Sequence, residues 1–180
     1  MKAIKSFLSR HDTGFCEKDY VHATLACLSM KMCHTVLGGT FDRFHLGHER
    51  LIERAVEIGD FVTIGITSDR FSGKDVEPFE TRQKAVERYL KSRGCEKYRI
   101  VVLNDPFGPT LTDHSMDRLI VSEETYLRAL ELNRLRTSKG LKELEIIRMP
   151  MVGAEDGRPI SSSRIRQGEI NRTGCLIKKG

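Results

Sequence analysis

The chain has 180 residues, of which 39% are hydrophobic and 31% charged, a composition expected of one globular domain with a sizeable core. No apolar run approaches the ~20 residues that a membrane span needs, and no secretory leader is evident, so a cytoplasmic protein is expected. The net charge of +5 is carried by residues 158–180, where six basic residues face one acidic residue, which argues against a nucleic-acid surface spread over the fold.

The five cysteines (Cys16, Cys27, Cys33, Cys95 and Cys175) are odd in number and lack C-x-x-C spacing. They are therefore read as reduced thiols, and neither a disulfide framework nor a zinc site is expected. Among the six histidines only His45 and His48 lie close together, with no third ligand at zinc-site spacing.

Residues 1–32 show poor periodicity and are read as an N-terminal extension. A domain from residue 33 to 180 follows, ending in a basic tail. Regular patterning begins with a strand at Thr35–Leu37. A helix is predicted from Gly47 to Ile58, with Leu51, Ile52, Ala55, Val56 and Ile58 on one face and Gly59 as its stop. Phe61–Thr67 is a continuous apolar run, as expected of a parallel strand covered on both faces.

A polar loop over Ser68–Phe79 precedes a helix from Glu80 to Arg93, closed by Gly94. Arg99–Leu103 is a strand, Asn104–Met116 a Pro/Gly-containing loop, and Leu119–Val121 a short strand. A helix from Glu123 to Ser138 carries Leu127, Leu130 and Leu135 and ends at Gly140. Leu144–Met149 is the last predicted strand, and after the loop Pro150–Pro159 a short helix starts near Ser161 or Ser162. Strands alternating with helices of about 10–15 residues predict an α/β fold with a central parallel sheet.

Two stretches carry the chemistry. The string Val36-Leu37-Gly38-Gly39-Thr40-Phe41-Asp42-Arg43-Phe44-His45-Leu46-Gly47-His48 reads as strand, glycine turn and helix start. Ligands of such sheets gather beyond the strands' carboxyl ends, and a helix N-terminus favours an anion there. Two imidazoles at i and i+3 add hydrogen-bond donors in the same cleft. The second stretch, Pro159-Ile160-Ser161-Ser162-Ser163-Arg164-Ile165-Arg166, puts three hydroxyls and two guanidiniums at another helix start. That suits a polyphosphate better than a simple N-cap.

Together, Gly-Gly-Thr-Phe-Asp-x-Phe-His-x-Gly-His and Ile-Ser-Ser-Ser-x-Ile-Arg resemble the nucleotidylyltransferase superfamily, and within it the phosphopantetheine adenylyltransferases of archaeal and eukaryotic type. The resemblance extends over about Thr35 to Glu169. It implies a Rossmann-like three-layer domain and transfer of AMP from ATP to 4′-phosphopantetheine, the penultimate step of coenzyme A synthesis. By motif position it makes His48, His45, Thr40 and Lys74 catalytic. It assigns Gly38, Gly39, Thr40, Phe41, His45, Gly47, His48, Ser161, Ser162, Ser163 and Arg166 to ATP, and Thr40, Asp42 and Lys74 to the acceptor. A magnesium ion bridging the phosphates is implied, with most of its shell from substrate and water.

Where bacterial relatives carry an Arg-Gly-Leu-Arg string, this chain has Val121-Ser122-Glu123-Glu124-Thr125, as in the archaeal and eukaryotic branch. Arg128, one turn further, is a candidate replacement charge, and Asp105-Pro106-Phe107-Gly108-Pro109 a candidate active-site loop. Other acceptors stay open from the residues alone: nicotinamide mononucleotide, flavin mononucleotide or glycerol 3-phosphate. So does a non-catalytic nucleotide- or RNA-binding module. Oligomeric state has no sequence signal.

Overall fold

A computed structural model describes residues 32–73 and 75–178. The expected N-terminal extension and Lys74 therefore lie outside the described residues, Met32 excepted. The elements are β1 (His34–Gly39), α1 (Leu46–Ile58), β2 (Phe61–Thr67), α2 (Asp69–Ser72), α3 (Phe79–Ser92), β3 (Tyr98–Leu103), β4 (Arg118–Ser122), α4 (Tyr126–Ser138), β5 (Glu145–Met149) and α5 (Ser162–Arg166). Short 3₁₀ turns occupy Gly108–Leu111 and Glu123–Thr125.

The strands form one sheet in the order β3-β2-β1-β4-β5, every described pair parallel. Strand pleat sorts its residues into two cores. Val36 sits beside Thr63 and Leu119, and Leu37 beside Ile64 and Ile120. Leu37, Ile64 and Ile120 pack with Ile52 and Ala55 of α1 and with Val86 and Leu90 of α3. Val36, Leu119 and Val121 pack instead with Ala129 and Leu132 of α4. Three layers result, α1 and α3 on one face of the sheet and α4 on the other, as expected of the predicted fold class.

Several local expectations are corrected. Gly59 ends α1, but not as a left-handed cap: its φ is −112°. Glycine is required there because a Cβ would come within 2.6 Å of Thr35 Oγ1 and 2.9 Å of the Ala55 carbonyl. By contrast Gly94 and Gly140 do adopt positive φ after α3 and α4. The predicted helix from Glu123 opens as a 3₁₀ turn, and its buried face is Ala129, Leu132, Asn133 and Arg136. Leu127 instead points to solvent at 77% exposure. Polar residues take the inner row because Asn133 hydrogen-bonds the backbone of Leu144, its Nδ2 to the carbonyl and its Oδ1 to the N–H, both at 2.9 Å.

Residues 158–178 pack onto the fold. Ile160 and Ile170 are buried, and the Leu46 N–H donates to the Arg172 carbonyl at 3.1 Å. Arg164 is buried between Asp156 (2.6 Å) and Glu169 (2.9 Å), so it braces this segment instead of facing a ligand. Among the described residues no helix is long and apolar enough to cross a membrane.

Candidate active site

The strand order reverses between β1 and β4, which opens a crevice beyond their carboxyl ends. A cleft of about 360 Å³ lies there, lined among others by Gly38, Gly39, Thr40, Phe41 and His48 of the first string. From the opposite side come Asp105, Pro106, Phe107 and Pro109 of the candidate loop, and Arg128 at the mouth.

The loop from β1 to α1 is held in an unusual backbone path. Phe41 (φ 55°) and Arg43 (φ 47°) are the two non-glycine residues with positive φ among those described. Each costs on the order of 1–3 kcal/mol unless the surroundings over-determine it. They do so here. The Phe41 ring is buried against His48, with centroids 5.1 Å apart, and Phe44 stacks on the same imidazole at 5.7 Å.

His45 is the N-cap of α1, and its Nδ1 accepts the Gly47 N–H at 3.1 Å. A Cβ on Gly47 would come within 3.0 Å of that ring, so glycine lets the capping histidine sit close to the backbone. The two imidazoles stack with centroids 3.8 Å apart. Burial, aided by the neighbouring His45, pushes the His48 imidazole down to about 3. Burial likewise brings His45 down to about 4, with Asp42 opposing and the Arg172 charge adding to the fall. Both rings are therefore neutral at pH 7. Since Nδ1 of His45 accepts, its proton sits on Nε2, free to donate. His48 Nδ1 is buried and has no hydrogen-bond partner, an unmet demand at the head of a helix.

Asp42 joins the two strings. It is 1% exposed; its Oδ1 accepts the Glu77 N–H at 2.8 Å and its Oδ2 pairs with Arg166. Its carbonyl accepts from Ser162 Oγ at 2.7 Å. The N-terminus of α5 is thereby docked on the β1–α1 loop. Asp42, assigned to the acceptor by resemblance, has both carboxylate oxygens engaged in this strut. Ser161 caps α5, accepting from the Arg164 N–H at 3.4 Å, and its Oγ lies 3.0 Å from that of Ser163.

Residues that the sequence did not single out complete the support. Arg82 of α3 is fully buried; its Nη1 donates to the carbonyls of Thr40 and Thr67, each at 2.8 Å, clamping the ends of β1 and β2 together. Its Nε reaches the Glu77 carbonyl and its Nη2 reaches Asp69 at 2.9 Å. The signal was present, because Arg82, Val86 and Leu90 form one i, i+4 row on a core-facing helix. Arg136 of α4 similarly holds the 104–116 loop through the carbonyls of Thr110 and Asp113. Among the described residues no group of three or more His, Cys, Asp or Glu is placed to hold a metal ion.

Residues 36–168 match the model of the cytidylyltransferase-like family. The chain is 44% identical over 155 residues to a phosphopantetheine adenylyltransferase of Methanothermobacter thermautotrophicus, covering 84% of this chain and 94% of the relative. It is 49% identical over 145 residues to one of Methanopyrus kandleri, covering 78% and 92% respectively. Among solved structures, a protein of unknown function from Archaeoglobus fulgidus superposes with a TM-score of 0.61 at 37% identity, covering 64% of this chain and 88% of that one. Relatives this similar, matched along nearly their whole length, show the family: the chain belongs to the phosphopantetheine adenylyltransferases of archaeal type, within the cytidylyltransferase-like family.

Proposed function

We propose that the cleft binds ATP and 4′-phosphopantetheine and transfers AMP between them, with His48 as the residue that meets the reacting phosphate. A phosphate oxygen of 4′-phosphopantetheine attacks the α-phosphorus of ATP. The bond from that phosphorus to the bridging oxygen breaks, and pyrophosphate leaves with the electron pair, giving dephospho-coenzyme A. No covalent enzyme intermediate is required, so catalysis rests on positioning and on stabilising charge at the α-phosphate.

The observation that carries this reading is the neutral His48 ring, which lines the cleft at the start of α1 and stacks on His45. Preorganised donors in a water-poor site are worth most where charge develops during reaction. His45, with its proton on Nε2, offers a second donor beside it, and Thr40 lines the same wall to orient the acceptor phosphate. Ser161, Ser163 and Arg166 are assigned to the β- and γ-phosphates, with Ser162 fixing α5 in place through Asp42. The carboxylates nearest this end, Asp42 and Glu77, are already paired with arginines. A magnesium ion would accordingly be held by phosphate oxygens and water, neutralising triphosphate charge.

Pyrophosphate release from ATP measured against 4′-phosphopantetheine, nicotinamide mononucleotide, flavin mononucleotide and glycerol 3-phosphate tests the acceptor. Turnover with 4′-phosphopantetheine is expected. Turnover with another acceptor alone would overturn that assignment while keeping the nucleotidyl transfer.

A further inference from the structure

Three guanidiniums and two carboxylates pair with one another around the β1–α1 loop. Arg166 is neutralised by the buried Asp42. The other two, Arg43 and Arg172, share one partner: Glu77 Oε1 lies 3.4 Å from Arg43 Nη1 and 3.2 Å from Arg172 Nη2. One carboxylate cannot neutralise two guanidiniums, so this group keeps a net positive charge. Both bonds are long, and both arginine side chains are substantially exposed, at 41% and 54%. Pairs of this kind stabilise the fold little and exchange partners readily.

The two arginines sit beside the anion site, not elsewhere on the surface. Arg43 belongs to the β1–α1 loop, two residues from His45. The Arg172 carbonyl caps the Leu46 N–H at the first residue of α1, and its charge is felt by the His45 ring. Arg43 Nε is buried without a hydrogen-bond partner. It is one of three such side-chain atoms among the described residues, and the His48 Nδ1 at the same loop is another. Glu77 itself is fastened through its backbone, its N–H to Asp42 and its carbonyl to Arg82, and its Oε2 accepts the Arg43 backbone N–H at 2.9 Å, so the carboxylate is held in place beside both guanidiniums.

We infer that Arg43 and Arg172 are triphosphate-binding residues held in readiness by Glu77. On ATP entry they exchange the shared carboxylate for β- and γ-phosphate oxygens. Glu77 competes with the triphosphate for both guanidiniums and so sets the affinity. This rests on the reading of the cleft as an ATP site and names further residues for it.

The test is ATP affinity of the full chain by titration calorimetry, without acceptor so that no turnover intervenes. Arg172→Met is expected to weaken ATP binding about tenfold, with Arg43→Met acting in the same direction, since each removes a charge-assisted bond to phosphate. Glu77→Gln removes the competitor and is expected to bind ATP as tightly as the parent or up to about threefold more tightly. A purely structural bridge would make both kinds of variant bind more weakly. Loss of affinity in Glu77→Gln, or an unchanged affinity in Arg172→Met, overturns the inference. Arg172→Lys, which keeps the charge and leaves the backbone cap intact, should recover most of the affinity and exclude misfolding as the cause. Because ATP binding alone is read, failure of the 4′-phosphopantetheine assignment would leave this result standing.

Discussion

The two strings meet at Asp42 in opposite states. The loop from Gly38 to His48 is strained and its polar groups are not fully satisfied: Phe41 and Arg43 hold positive φ, and His48 Nδ1 and Arg43 Nε lack partners. The serine string is the reverse. Ser161 caps α5, Ser162 bonds to the Asp42 carbonyl and Arg166 is paired with Asp42. A rigidly packed imidazole lining the cleft is suited to stabilising charge that appears only in the transition state. A satisfied group must break a bond to meet ligand, so it contributes to ground-state binding and to holding the two helices together.

That contrast is most exposed at His48. His48→Ala is expected to lower kcat by roughly 10²–10³-fold while changing ATP affinity by less than about threefold. Equal losses in kcat and affinity, measured by steady-state kinetics and calorimetry, would place His48 with the serines as a binding group.

Asp42→Asn should show the converse pattern. Removing the charge opposite Arg166 weakens the strut between the strings and is expected to cost about 2 kcal/mol of stability, read from urea unfolding midpoints. Arg166 is partly exposed, which keeps the loss below that of a fully buried pair.

The histidines themselves can be read through pH. Their folded pKa values, about 4 for His45 and about 3 for His48, lie below the ordinary value of 6.5. The unfolded chain therefore binds protons that the folded chain refuses. The contribution is complete above pH 6.5 and is lost as pH falls from there through about 4 for His45 and about 3 for His48, with a slope of at most about 2.7 kcal/mol per pH unit for the two together. The component of acid destabilisation between pH 6.5 and 5 should disappear in a His45→Gln/His48→Gln double variant. An imidazole resonance of either residue titrating near 6.5 would contradict the buried, neutral arrangement.

The smallest effect is expected in the second string. Ser162→Ala removes one hydroxyl bond to the Asp42 carbonyl and should destabilise by about 1 kcal/mol, with kcat changed less than about threefold. A kcat loss comparable to that of His48→Ala would erase the distinction between the strings.

How much of this was legible from the residues depended on range. Phe61–Thr67 was predicted with the bounds that the structure shows, because an unbroken apolar run bounded by Gly59-Asp60 and a polar loop has few alternatives. The α1 boundary was off by one residue, since the capping group is an imidazole rather than a usual hydroxyl or carboxylate. The inner row of α4 was not legible for a different reason: leucine is a good helix former wherever it sits, so Leu127 faces water while Asn133 and Arg136 take core positions. Arg164 and Arg166 look equivalent in the sequence. One is buried against Asp156 and Glu169 and the other reaches Asp42 across 124 residues of chain.

The sequence by itself determined the alternation of strands and helices, the glycine turn, the helix starts and both strings, because each is set by residues within a few positions of one another. It also carried the family resemblance that 44% and 49% identical relatives bear out. Only the tertiary structure decided which charged groups are spent on the fold and which remain for a ligand. Asp42 and Arg164 are consumed internally, Arg82 clamps two strand ends, and Glu77 divides itself between Arg43 and Arg172. The reason is physical: an ion pair is defined by distance in space, and the partners here come from segments tens of residues apart that only the packed sheet brings within hydrogen-bond reach.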